Sequence, residues 1–310
     1  MHHKEQVHVH AEGEGIFSFR VGTLDADGNE TNVYAPAPPT RNLITDNGLE
    51  RQGNNSDWLT RVYVGSGSTA PVFTDAAMAN LVASTTTLQT SVSGAQSSAP
   101  FFAWIRVTRR FSAGAAAGNL SEVGIGWDSG LFSRALIRDG GGNPTTITVS
   151  AEQFLDVTYE YRFYPKLTDD TGSVVLTGSI GGTYSYIFRA ANVNSDSSTF
   201  GWNMLSTGTA MGNTGVKNAF EGNIGAITAA PAGATSATLP FAAQAYAASS
   251  LQRKFTLSPA LGDANFTAGI RSFLLHMGLG TFQIQFDPPI PKTSDMVLSL
   301  EFSHSWGRKA

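Results

Sequence analysis

The feature that most constrains this chain is a strict two-residue alternation of apolar and polar side chains. In Asp156-Val157-Thr158-Tyr159-Glu160-Tyr161-Arg162-Phe163, the apolar residues Val157, Tyr159, Tyr161 and Phe163 fall on one side. Asp156, Thr158, Glu160 and Arg162 fall on the other, which is the pattern of a half-buried β-strand. Phe17, Phe19 and Val21 repeat it within 16–22, as do Phe282, Ile284 and Phe286, and Met296, Leu298, Leu300 and Phe302. Turn chemistry punctuates these runs at Asp25-Ala26-Asp27-Gly28-Asn29, at Gly140-Gly141-Gly142-Asn143-Pro144 and at Asp169-Asp170-Thr171-Gly172. Pro288-Pro289-Ile290-Pro291 is expected to be a loop, because proline cannot serve a central strand.

The expected fold is therefore all-β, with β-sandwich-like regions and two short helices near 46–52 and 74–84. Thr45 or Asp46 is placed to cap the first helix, which Gly53 ends, and Thr74 to cap the second, where Ala77, Met78 and Leu81 sit at helical spacing. The expected organisation is a flexible N-terminal arm over 1–15, then a β-hairpin and Pro-rich connector over 16–41. A β-sandwich-like module over 42–165 and a second β-rich region over 166–310 follow. The stretch 192–250, rich in Asn, Ser, Thr, Gly and Ala, has no deciding periodicity.

Charged residues make up only 14% of the chain, against 41% apolar, with 33 glycines. Such a surface suits a protein that covers itself with neighbouring subunits. A net charge of -4 offers no field for a phosphate backbone, so no nucleic-acid partner is expected. Arg106, Arg109 and Arg110 are the densest basic group; on a strand, 106 and 110 share a face and 109 points away. The absence of cysteine excludes disulfides and thiol chemistry. Neither a signal-peptide pattern nor a bilayer-length apolar run is seen, so assembly in the cytoplasm without membrane insertion is expected.

Two stretches carry a resemblance. The first runs from Arg41-Asn42-Leu43-Ile44-Thr45-Asp46-Asn47-Gly48-Leu49-Glu50-Arg51 through Val62-Tyr63-Val64-Gly65-Ser66-Gly67-Ser68-Thr69-Ala70-Pro71 to Val82. The second is Asn119-Leu120-Ser121-Glu122-Val123-Gly124-Ile125-Gly126 followed by Leu131-Phe132-Ser133-Arg134-Ala135-Leu136-Ile137. Together they resemble a module of tail-tip, baseplate and tail-fibre proteins of tailed bacteriophages, over roughly 41–165. The resemblance implies a virion component engaged in subunit packing. Independently of it, Gly124 and Gly126 leave one strand face bare for another backbone or ring.

Catalytic and metal signatures fail on spacing. Gly65-Ser66-Gly67-Ser68-Thr69-Ala70 matches G-x-G-x-x-A, but Pro71 and the delay to Thr74 separate it from any helix. Asp25, Asp27 and Asn29 mimic a calcium loop, yet position twelve is Pro36. His8 and His10 share a strand face without a third local ligand. Asp156 and Glu160 share a face, but alternate as on a solvated strand. No catalytic residue, cofactor or metal is expected. Trp58, Trp127, Trp202 and Trp306 lie near polar or glycine-rich stretches and are the candidate surface-binding aromatics for a host glycan.

The expected function is that of a non-enzymatic structural component of the virion tail. It would form a symmetric homo-oligomer, such as a trimer, with other phage tail proteins. A lectin-like receptor-binding tail protein is the alternative reading, and a glycan depolymerase the second.

Overall fold

In the computed structural model, residues 7–195, 207–236, 239–278 and 280–309 are described. The strand Val7–Leu24 organises the molecule: every odd position from Val7 to Val21 is buried and the even ones between them are half-buried. Of the arm expected over 1–15, residues 7–15 are thus strand, and 1–6 lie outside the described residues. Val7, Val9 and Ala11 supply the apolar row that Phe17, Phe19 and Val21 continue. The row is interrupted at Gly13 and Gly15, where the rings of Tyr161 and Tyr159 occupy the space a side chain would need.

This strand pairs antiparallel with Gln153–Pro165, from Ala11 opposite Pro165 to Thr23 opposite Gln153. It also pairs parallel with Leu300–Arg308, Val7 facing Phe302 and Gly13 facing Arg308. The sheet runs in the order Phe241–Ala243, Gln252–Leu257, Leu300–Arg308, Val7–Leu24, Gln153–Pro165, Ala103–Phe111 and Leu88–Ala95. Glu30–Tyr34 and Thr40–Arg41 add to the central strand.

Two smaller sheets cover its apolar face side by side. One orders Leu43–Ile44, Gly130–Leu136, Glu122–Trp127, Arg61–Gly65 and Leu81–Thr85. Its core joins Phe17, Phe19, Val62, Val123, Phe132 and Tyr159. The other orders Asp170–Leu176, Gly182–Ala190, Gly280–Ile290, Ile270–Met277, Thr214–Phe220 and Thr235–Ser236. Its core joins Val7, Val9, Phe188, Phe255, Phe282 and Phe302. Each fully buried Phe in these layers contributes roughly 1.5–3 kcal/mol by leaving water. Both cores draw on residues from either side of 165: Met211 and Trp306 join the first, and Val7 and Val9 the second.

The all-β expectation holds, with one short α-helix among the described residues, Asp46–Gln52. Thr45 caps it, its hydroxyl accepting from the Gly48 N–H at 2.9 Å. The helix expected over 74–84 does not form: residues 74–80 are irregular and Leu81–Thr85 is an edge strand. The Ala79 and Asn80 N–H groups donate instead to the carboxylate of Glu122, and Met78 packs over Gly124. A tertiary acceptor has won over local periodicity. The loop expected over 288–291 is also corrected, since the strand runs on to Ile290, which pairs with Ile270 across a register shift. Pro288 and Pro289 fall at the shift, where the ladder asks for no donor.

Candidate functional site

The residues that carry the resemblance meet in one buried cluster. Glu122 and Arg134 lie on adjacent antiparallel strands, are 0% and 1% exposed, and pair through Arg134 Nε and Glu122 Oε2 at 2.7 Å. Arg134 also pairs with Asp75 at 2.8 Å and donates to the Thr69 carbonyl at 2.8 Å. Glu122 accepts from the N–H groups of Gly67 (3.1 Å), Ala79 (3.1 Å) and Asn80 (2.7 Å). Burial alone would push the Glu122 carboxyl up; the Asn80 N–H, Arg134 and the Ala79 N–H outweigh it and hold it below the usual range.

The glycine-rich corner over 65–70 is therefore a cradle for the chain's own carboxylate. A Cβ at Gly65 or Gly67 would stand 2.5 Å from Glu122 Oε1. Glu122 and Arg134 both stand in the resembling stretch over 119–137, but no local pattern there pairs them. The available signal was a Glu and an Arg near the ends of two strands, in a chain with few charges.

What the clamp holds in place is an unprotected edge. Leu81–Thr85 ends the five-stranded sheet and Leu88–Ala95 ends the large one, so successive strands form the outer edges of both. No charged residue occurs between Asp75 and Arg106. Of the thirteen exposed large apolar side chains among the described residues, four lie on these two strands, Leu81, Val82, Leu88 and Val92, and Val72 and Phe73 lie in the loop before them. Charged side chains and proline are the usual guards of such edges, and both strands lack them.

The arginine group behaves as its spacing predicts. Arg106 pairs with Glu160, while Arg110 pairs with Asp156 at 2.7 Å and with Glu30 at 2.5 Å. Arg109 points inward, 4% exposed, and donates to the carbonyls of Leu59 and Thr86. Asp156 and Glu160 are consequently tied into a cross-strand lattice with Arg20, Arg106, Arg110 and Arg162. Burial pushes the Glu160 carboxyl up, but hydrogen bonds from Arg106 and Arg162 hold it below the usual range. That is the reverse of what a general acid needs.

Three of the candidate surface tryptophans are core residues. Trp58, Trp127 and Trp306 are 1%, 6% and 3% exposed, and Trp202 lies outside the described residues. Trp58 Nε1 donates to the Thr209 carbonyl and Trp306 Nε1 to that of Leu49, so each indole packs its body inside and satisfies its one donor. The expectation of exposed sugar-stacking rings at 58, 127 and 306 is thereby corrected. The remaining tryptophan, Trp104, is half-buried, with Gly94 beneath it and Arg106 stacked 4.3 Å from its ring centre.

Asp25 accepts from the N–H groups of Asp27 and Asn29, which is turn chemistry. Both ring nitrogens of His8 lie within 3.0 Å of serine hydroxyls, of Ser303 and Ser305, and His10 Nδ1 lies 2.7 Å from Ser305. Among the described residues no group of three potential metal-binding side chains occurs, and no helix is long and apolar enough to cross a membrane. Comparison with protein-family models, with curated proteins and with solved structures returned no match for this chain.

Proposed function

We propose that this chain is a structural component of a tailed-phage virion, at the tail tip, baseplate or fibre attachment, and that it works by subunit assembly. The observation that carries the reading is the uncharged double edge at Leu81–Thr85 and Leu88–Ala95. Exposed strands without charge or proline pair readily with further strands, and a protein that kept them bare would aggregate. Covering them in a closed symmetric oligomer, such as a trimer, removes that liability.

The resemblance supports the same reading. Glu122 and Arg134, both in the second of the two stretches, bind the loop that leads into this edge. The carboxylates that suggested a depolymerase, Asp156 and Glu160, are neutralised by arginine, which favours a scaffold over that alternative. Other tail proteins are the expected further partners.

The test is the mass of the purified chain by light scattering and sedimentation, with Val92→Lys and Leu81→Lys as edge variants. A stable oligomer that dissociates in either variant, together with presence of the chain in purified phage particles, supports the proposal. A wild-type chain that remains monomeric, or one missing from the particles, overturns it.

A further inference from the structure

A groove of about 330 Å³ opens on the outer face of the six-stranded sheet. Ser185 faces Asp287 and Ile187 faces Gln285 across paired strands, which gives the groove an aliphatic floor with polar flanks. Its wall is the segment 222–226, clamped flat on the sheet. The Ile224 N–H donates to Gln285 Oε1 at 3.2 Å and the Gly225 N–H to Gln283 Oε1 at 2.9 Å. Gln283 Nε2 returns bonds to the carbonyls of Gly225 and Ala226, and the Ser272 hydroxyl donates to that of Gly222 at 2.7 Å. The groove is thus preformed.

Its lining has hydrogen-bonding capacity that is not used among the described residues. Arg271 spends Nη1 on the Phe286 carbonyl and on Asp287 Oδ1, leaving Nε and Nη2. Asp287, mostly exposed, keeps Oδ2. Gln285 uses only its Oε1, and the side chains of Ser185 and Asn223 bond to nothing among the described residues. Five side chains with uncommitted donors and acceptors therefore converge on one small space.

From this we infer that the groove is a binding site for a neutral saccharide of one or two rings. Vicinal hydroxyls need donors and acceptors side by side, which Arg271 and Asp287 present with cancelling charge. The same pair disfavours an anion, which Asp287 repels, and a cation, which Arg271 repels. The Ile187 floor suits the apolar face of a sugar ring. The site stands on the groove alone and does not depend on the assembly reading.

Saturation-transfer NMR of the full chain tests it. The probes are glucose, galactose, mannose, N-acetylglucosamine and lactose, with a sialylated trisaccharide and inorganic phosphate as charged controls. At least one neutral sugar is expected to show transfer, weakened about tenfold or more by Asp287→Ala and by Asn223→Ala. Both residues are exposed, so unchanged melting temperatures exclude unfolding as the cause. No transfer from any neutral sugar, transfer that both variants leave intact, or preference for the charged controls overturns the assignment.

Discussion

Arg134 Nε lies 2.7 Å from Glu122 Oε2, with both side chains sealed from solvent. Removing Arg134 leaves Glu122 as a buried charge without a cation, and removing Glu122 leaves Arg134 with Asp75 alone, so a cost approaching about 3–5 kcal/mol is expected. Glu122→Gln and Arg134→Met are each expected to lose stability of that order in urea unfolding. The double variant should lose less than the sum, because neither Glu122 nor Arg134 then remains as a charge without the other, and only Asp75, 17% exposed, still lacks Arg134. Additive losses would show that the two residues act separately.

Acid is expected to weaken the fold well above the carboxylate range. Burial holds His304 and His276 at about 4, from an ordinary value of 6.5. The unfolded chain thus binds protons that the folded chain refuses. The contribution is fully present above 6.5 and is lost as pH falls toward 4, reaching roughly 3 kcal/mol per histidine. Urea midpoints measured from pH 7.5 to 4.5 should fall steadily; a flat profile down to 5 contradicts the assignment.

Gly15 is required by a neighbour and Gly140 is not. A Cβ at Gly15 would lie 2.1 Å from Tyr159 Oη and 2.5 Å from Asn42 Oδ1, whereas Gly140 has nothing within 4 Å. Gly15→Ala is expected to destabilise by about 1–3 kcal/mol, with part recovered by adding Tyr159→Phe. Gly140→Ala should change stability by less than about 1 kcal/mol. Thermal melts of the four proteins decide this.

Lys292 acts as an internal cation for a loop. Its Nζ donates to the carbonyls of Ala260 (2.9 Å), Leu261 (3.3 Å) and Asp263 (2.8 Å), and to Asn265 Oδ1 (2.8 Å). Lys292→Met keeps the aliphatic stem but leaves these oxygens without their donor, at a cost of about 1–3 kcal/mol. Hydrogen exchange should speed up across 260–265 first, and an unchanged exchange pattern would rule out the latch.

How far the sequence could be read depended on the range of the forces involved. The apolar face of Val157, Tyr159, Tyr161 and Phe163, the Thr45 cap and the opposed faces of Arg106 and Arg109 are local consequences of strand and helix geometry and were legible, whereas the burial of Asp156 and Glu160 under arginines was not. The helix expected over 74–84 failed because its amides met Glu122, far away in sequence. The tryptophans misled for a related reason. Polar and glycine-rich neighbours mark loops, but they do not show that Trp58 finds its acceptor at Thr209.

The sequence by itself determined an all-β chain with a period-two core, poor in charge and without thiol chemistry. Backbone alternation and composition need no knowledge of partners. Tertiary structure alone decided that Val7–Leu24 is the central strand of the large sheet and that the C-terminal strand completes it. It also decided that Glu122 meets Arg134, and that the uncharged stretch before Arg106 forms the edge of two sheets. Strand pairing and buried charge pairing join residues distant in the chain. Their energies depend on register and burial, which no local pattern encodes.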